Sequence, residues 1–578
     1  MNEEILKKAR MWSENEYFDD NFRKEIATLI ANQDENELTD RFYKDLEFGT
    51  GGLRGVLGAG SNRMNTYTVR KATQGLADYI LSVTDSTEKQ PEVAIAYDSR
   101  IKSDEFSEEA ASVLAGNGIK VHLYSDLRPV PMLSFAVRQL GATAGIVITA
   151  SHNPPEYNGY KVYWSDGCQI ISPHDQGIID RVNALKDLSD VKLIDFNQGL
   201  EQGLINMIPD SLEQIYFDKV DALLPGVPEY NREFGVVFTP LHGAGNYPVR
   251  EMLKRRGFTK VNVVASQEKA DGNFPTVSSP NPEEPSALKI AQESAGPNDR
   301  LIIGTDPDAD RLGVMVKHGG EWFKINGNQI GQLLLDYFLR KQHQKGAIPD
   351  DAVFVTTIVT SGLGELIAKK YGVRTIETLT GFKYIGSIIR EIETDKSGQF
   401  VFGTEESHGY LLGDFVRDKD GVIASALFSE MCAELAHEGK TALDQLDVIH
   451  REHGYHIDSL VNKVIKGITG AQKIKNIMSF LRSQPPESIA GIKVATVKDY
   501  QEKTIFDRKS GEITGQTEQP ASNVLAFYME DGSRITARPS GTEPKIKFYF
   551  NLKGSEEKAL SEKKASFEKD FAAIIDRV

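Results

Sequence analysis

The chain has 578 residues, 40% of them hydrophobic and 26% charged, and 67 Lys and Arg against 83 Asp and Glu give a formal net charge of -16. That length exceeds one hydrophobic core and implies several domains, and the acidic balance excludes sequence-independent nucleic-acid binding, which needs clustered cations against phosphates. No apolar run is long enough to span a membrane, the amino terminus has no apolar signal core, and Cys168 and Cys432 form no CxxC pair, so the expectation is a cytoplasmic protein without membrane partner, disulfide framework or zinc knuckle.

Residues 1–45 read as charged helix. Beyond them short β-rich runs alternate with helical patterns, which predicts an α/β fold with largely parallel sheets. Three runs share one form, an apolar strand ending abruptly in a polar loop. GIVITA leads into Ser151-His152-Asn153-Pro154, LIIGT into Asp306-Pro307-Asp308-Ala309-Asp310-Arg311, and FVFG into Thr404-Glu405-Glu406-Ser407-His408-Gly409. An earlier strand precedes each: EVAIAY, GVVF and AVFVTTIV. The pattern predicts three consecutive related α/β domains, each offering a loop at a strand's carboxyl end, where ligands bind in open α/β sheets. From about residue 451 the texture changes to helix and antiparallel strands, with a hairpin at Glu530-Asp531-Gly532. The expected domains are 1–205, 206–320, 321–450 and 451–578, the last α+β, with residues 507–522 read as a mobile loop.

Ser151 sits on a turn that His-Asn-Pro-Pro keeps from continuing as strand or helix. Taken alone it reads as a turn residue, since a serine hydroxyl is a weak nucleophile and the G-x-S-x-G elbow is absent. Asp306, Asp308 and Asp310 change that reading. Carboxylates at alternate positions of an extended loop form a hard-oxygen site for Mg2+ or Ca2+. Arg311 and Lys317 stand where an EF-hand needs Gly and Glu. Three carboxylates leave room for a phosphate oxygen, which suits phosphoryl transfer. The Glu405-Glu406-Ser407 loop offers groups that bind hydroxyls. Arg538-Pro539-Ser540-Gly541-Thr542-Glu543-Pro544-Lys545 combines a bidentate cation with the makings of an anion nest. The glycine-rich stretch around Arg54 could bring amides and a cation to a phosphoryl group, and Lys161, on the next strand after Ser151, could shuttle a proton. A nucleotide kinase fails, because Gly439-Lys440-Thr441 is half a Walker motif with Glu434 at its first glycine position.

With these loops in hand the chain resembles the α-D-phosphohexomutase superfamily, and within it the phosphoglucomutase/phosphomannomutase family. Four motifs carry the resemblance in the family's order, TASHNP, DPDADR, EES and RPSGTEP, with GTGGLRG extending it to residue 49. It implies a heart-shaped, four-domain enzyme with a central cleft and one loop from each domain. The family's phosphoserine falls on Ser151, which also ligates the metal with Asp306, Asp308 and Asp310. His152 and Lys161 are the implied acid/base or transition-state groups and Arg54 a stabiliser near the phosphoserine. Substrate recognition falls on Arg311, Lys383, Glu405, Ser407, Arg538, Ser540, Gly541 and Thr542.

The implied reaction interconverts glucose 1-phosphate and glucose 6-phosphate through a bound glucose 1,6-bisphosphate, with one Mg2+ per site and glucose 1,6-bisphosphate as activator. The chain would act as a monomer or weak dimer on a small phosphosugar. Mannose and pentose phosphates are alternative substrates, and a Mg2+-dependent phosphohydrolase using Ser151 is the alternative in another class. Many enzymes acting on both mannose and glucose carry Glu-Met-Ser-Gly-His in the sugar loop. This chain has Glu-Glu-Ser-His-Gly, a departure that leans towards glucose.

Overall fold

A computed structural model describes residues 2–49, 51–85, 89–226, 228–465, 470–540 and 545–577. The chain divides into two compact units. The first holds residues 1–325, 386–396 and 409–438, and the second holds 326–385, 397–408 and 439–578.

The first unit begins with three helices, Glu3–Glu14, Asp20–Ala31 and Glu35–Phe42. Each starts where a short polar side chain satisfies a backbone amide: Asn2 accepts from Glu4, Asp19 from Asn21 and Asp34 from Glu37. Their apolar faces converge on Trp12, Phe18, Ile26, Leu38 and Phe42, joined by Tyr67 of the following domain. Trp12 stacks on Phe18 with ring centroids 4.2 Å apart. The helical extension is thus packed against the first domain through an apolar cluster of its own.

Two sheets follow. The first has six strands, in the order Gly52–Val56, Tyr157–Trp164, Ala144–Ile148, Glu92–Tyr97, Lys120–Leu123 and Ile205–Met207. The second has five, in the order Glu321–Ile325, Leu312–His318, Asp299–Thr305, Gly235–Thr239 and Lys260–Val263. The first contains four parallel strands and the second three, and both add antiparallel strands on one side. Strand Ala144–Ile148 is buried along its whole length, as expected of a parallel strand covered on both faces. In each sheet the first parallel strand to enter lies between the second and third, a parallel trio whose third strand ends at a chemical loop. Cys168 and Cys432 are both buried in this unit, and burial pushes both thiols well up.

The second unit repeats the trio. Strand Ala352–Thr357 lies between Arg374–Thr378 and Gln399–Glu405, all parallel. Three consecutive related α/β domains are therefore present, as the strand pattern predicts. The carboxy-terminal part is an antiparallel sheet running Tyr455–Val464, Lys545–Gly554, Arg534–Pro539, Leu525–Met529, Ile492–Asp499, Thr504–Asp507, Glu512–Gly515. Helices Gly470–Ser483 and Glu557–Ile575 cover the apolar core on its face. The Glu530-Asp531-Gly532 turn joins paired strands as expected.

The 507–522 stretch, expected as a loop, is in part a hairpin. Asp507 accepts from the Ser510 amide, Gly511 supplies a φ of +74°, and Thr504–Asp507 pairs with Glu512–Gly515. Its polar outer residues conceal the alternation. Among the described residues no helix is long and apolar enough to cross a membrane.

Candidate active site

Strand Ala144–Ile148 ends three residues before Ser151. There the chain turns so tightly that Ser151 takes a φ of +52°, a left-handed conformation a non-glycine residue adopts only when its surroundings impose it. The imposing groups are Thr149 and Arg100. Thr149 Oγ1 accepts the Ser151 amide at 2.8 Å and donates to Asp98 at 2.6 Å. Arg100 donates to the carbonyls of Ser151 at 2.6 Å, Pro154 at 2.9 Å and Tyr157 at 2.8 Å, and also to that of Asn153. Asp98 and Arg100 are buried as a pair, 3.5 Å apart. Burial raises the acid and lowers the base, and each offsets the other.

Strand Asp299–Thr305 delivers the aspartates. The loop is a tight turn, unlike the extended one the spacing predicts. Ala309 donates its amide to the Asp306 carbonyl and has a φ of +46°. Gly243 packs so close beneath it that a Cβ would sit 2.4 Å from Pro307 Cα. The turn still gathers Asp306, Asp308 and Asp310, with one oxygen of each within 4.8 Å of the others. Ser151 Oγ lies 2.7 Å from Asp306 Oδ2 and 3.3 Å from His152 Nδ1. Lys161 Nζ lies 2.8 Å from Asp308 and 3.7 Å from Asp310. Arg311 spans Asp306 at 4.0 Å and Asp310 at 3.9 Å and pairs with Glu283. Arg54 donates to Asn153 in the serine loop at 3.3 Å.

Burial and mutual repulsion push Asp306 well above the usual carboxylate range and raise Asp310. Burial opposes charge on Asp308 too, but Lys161 outweighs it and holds that carboxyl down. Lys161 is raised for the reciprocal reason, since Asp308 and Asp310 overcome its burial. Burial, with Arg311 and Arg54 nearby, keeps His152 neutral.

Asp308 Oδ1 and Asp310 Oδ1 are buried and accept no hydrogen bond among the described residues. Two oxygens without donors, in a set of three carboxylates, fit a hard divalent cation.

The structure adds residues the motifs did not reveal. Lys419 reaches Asp310 and Asp418, each at 3.1 Å, and Tyr163 donates to Asp418 at 2.8 Å. The signal was there in Arg417-Asp418-Lys419-Asp420, a charged run directly before the apolar helix Gly421–His437. Asp98 and Arg100 likewise follow a strand end, that of Glu92–Tyr97.

In the second unit, Glu405 closes strand Gln399–Glu405 and is buried, while Glu406 and Ser407 are half-buried. Glu406 accepts from Thr360 Oγ1 at 3.2 Å. Burial and neighbouring Glu405 push Glu406 up to about 7, with Lys547 and Arg538 pulling the other way. Arg538 lies on strand Arg534–Pro539, opposite Lys547, and the Ser540 amide donates to the Lys545 carbonyl at 2.8 Å. Tyr549, which the motifs did not flag, feels both Glu406 and Arg538. The expected sugar loop and phosphate clamp are thus within electrostatic reach of one another. Lys383 begins helix Phe382–Asp395, its ammonium 5.4 Å from the Tyr384 ring centroid. Gly541 and Thr542 lie outside the described residues.

Family models for phosphoglucomutase/phosphomannomutase match along the chain: alpha/beta/alpha domain I over residues 45–189, domain II over 214–320, domain III over 326–451 and the C-terminal domain over 485–569. The chain belongs to the phosphoglucomutase/phosphomannomutase family. A protein named phosphoglucomutase from Staphylococcus epidermidis is 39% identical over 529 residues, covering 91% of this chain and 94% of that one. One from Staphylococcus aureus is 38% identical over 531 residues, covering 91% and 93%. The fold is similar to that of a putative phosphomannomutase from Thermus thermophilus, with a TM-score of 0.68 at 22% identity over 92% of this chain and 99% of that one. This family member is an enzyme, a phosphotransferase of the isomerase class.

Proposed function

We propose that the chain interconverts glucose 1-phosphate and glucose 6-phosphate by way of a phosphorylated Ser151 and a glucose 1,6-bisphosphate intermediate. The carrying observation is Ser151 Oγ lying 2.7 Å from Asp306 at the head of a buried carboxylate triad. The glucose assignment is supported by the name of the Staphylococcus relatives and by the Glu-Glu-Ser-His-Gly sugar loop.

In the first transfer the sugar hydroxyl attacks the phosphorus on Ser151. A P–O bond to the sugar forms, the bond to Oγ breaks, and one proton passes from the hydroxyl to Oγ. In the return transfer Oγ attacks the opposite phosphate. The P–O bond to the sugar breaks, its electron pair stays on the sugar oxygen, and the proton lost by Oγ is passed on to that oxygen, which leaves as the hydroxyl. Neutral His152, with Nδ1 at 3.3 Å, can accept that proton. Lys161, Lys419 and Arg54 offer fixed positive charge to the transferring oxygens. Asp306, Asp308 and Asp310 would hold Mg2+, which supplies further charge neutralisation when bound.

Glu405 and Ser407 are assigned to the sugar hydroxyls, a carboxylate acceptor beside a donor-acceptor hydroxyl. Arg538, with Ser540, Gly541 and Thr542, is assigned to the phosphate that is not reacting, and Arg311 and Lys383 to further substrate contacts. The working location is the cytoplasm, and the working form a monomer or weak dimer.

The test is a Ser151→Ala variant supplied with glucose 1-phosphate and glucose 1,6-bisphosphate. Turnover should vanish, and the wild-type protein should carry a phosphate at Ser151 by intact-mass and peptide analysis. Normal turnover by Ser151→Ala would end the phosphoserine reading. Parallel assays with mannose and ribose 1-phosphates decide the sugar, and steady release of inorganic phosphate would favour the hydrolase.

A further inference from the structure

A cavity of about 290 Å3 lies where the amino-terminal helices meet the first α/β domain. It shares no lining residue with the serine loop or the aspartate turn. Its floor is apolar and closed, made by Trp12, Leu53 and Tyr67, each at least nine-tenths buried. Its margin carries Lys8, Lys71 and Lys186 against a single acid, Asp45. Lys71 stands 3.1 Å and Lys8 4.0 Å from that acid. Three lysines less one aspartate leave a local charge of +2 in a chain of net charge -16. Met11, 45% exposed, adds an apolar flank.

We propose that this cavity is an effector site for a planar organic phosphate, one ring system joined to one phosphate group. The floor supplies the apolar contact a flat ring needs, from Leu46, Leu53, Trp12 and Tyr67, with Trp12 itself held in place by stacking on Phe18. The lysines supply what a phosphate needs, displaceable cations on flexible stems. The volume is just below the roughly 300–1,000 Å3 typical of small-molecule sites, which favours a single ring system over a dinucleotide.

The site is coupled to the chemistry through one strand. Leu53 lines the cavity, and its neighbour Arg54 points to the other face of Gly52–Val56, as the two-residue period of a strand requires. Arg54 donates to Asn153 beside the reactive serine, and the same strand pairs Gly52 with Lys161. A ligand pressing on Leu53 therefore bears on the strand that carries Arg54 and flanks Lys161. Occupancy and turnover are linked by that element, and the linkage must be reciprocal in binding.

The experiment uses the full chain labelled with 5-fluorotryptophan, with the Trp12 resonance assigned through Trp12→Phe. The probe is 1-naphthyl phosphate. It should shift the Trp12 resonance saturably with a Kd below about 1 mM. The Lys71→Gln, Lys186→Gln double variant should weaken that binding by about tenfold or more, and Ala72→Leu, which fills the cavity, should remove it. The double variant alters only the cavity margin and keeps the test sound if Ala72→Leu misfolds. Absence of a saturable shift would overturn the site. So would equal binding of 2-naphthol, which lacks the phosphate, or displacement of the probe by glucose 6-phosphate in stoichiometric competition. Saturating probe should also change kcat on glucose 1-phosphate by about twofold, and an unchanged kcat would refute the coupling through Leu53. The fluorine readout needs no turnover, so it decides the site independently of the proposed reaction.

Discussion

The cluster around Ser151 and the cluster around Glu405 and Arg538 are built in different ways. In the first, backbone turns and buried side chains fix nearly every polar group. Ser151 is pinned by Thr149 and Arg100, and the aspartates share one tight turn. In the second, Glu406, Ser407 and Arg538 are half-buried on strand ends and their loops. Phosphoryl transfer rewards fixed geometry because its barrier is lowered mainly by positioning and charge. On the proposed function the second cluster reads one sugar in two orientations, a task that gains more from side chains that retain some reach.

That contrast predicts different kinetic signatures. The largest effect is expected for Asp308→Asn, which keeps the shape and removes the charge: kcat should fall by about a thousandfold, with KM nearly unchanged. A KM effect of similar size would erase the distinction between the clusters. Arg100→Lys keeps the buried charge but cannot span four carbonyls, and kcat should fall by about a hundredfold as the serine loop loosens. Far-ultraviolet circular dichroism should be unaltered, and binding of glucose 6-phosphate preserved.

In the second cluster the balance reverses. Arg538→Ala should raise KM by about ten- to a hundredfold, the worth of a charge-assisted hydrogen bond, while kcat changes little. The smallest effect concerns Glu406, whose carboxyl is raised from 4.5 to about 7. The folded chain then binds more protons than the unfolded one between those values, so this group's contribution to stability is present below pH 4.5 and is lost as pH rises through 7. Glu406→Gln should flatten the fall in melting temperature across that window, by no more than about 3 kcal/mol in stability. Identical profiles for the two proteins would show that Glu406 is not held in its protonated form.

Strand ends were the most legible feature of the sequence. GIVITA, LIIGT and FVFG each mark a real strand, and the motifs after them fall where the chain turns. The three aspartates could be read as a cation site because like charges three times repeated need a counter-charge. Asp98, Arg100 and Lys419 could not be read so easily, since Thr149, Ser151 and Asp310, which they hold, are 51 or more residues away in sequence. Only folding brings Arg100 to the carbonyls of the serine loop. His408 makes a related point. It holds a φ of +62°, a conformation glycine adopts without strain, while the adjacent Gly409 sits at the start of a strand. The order His-Gly thus places a side chain where Gly-His would have none, and the consequence for the sugar loop is visible only in the backbone.

The two buried cysteines lend themselves to a use unrelated to catalysis. Both belong to the first unit, and the chain has no others. With their thiols sealed from solvent and held protonated, alkylation must wait for that unit to open. A timed pulse of iodoacetamide followed by mass analysis would therefore clock the breathing of the first unit alone, leaving the second silent, in the native sequence and without engineered probes.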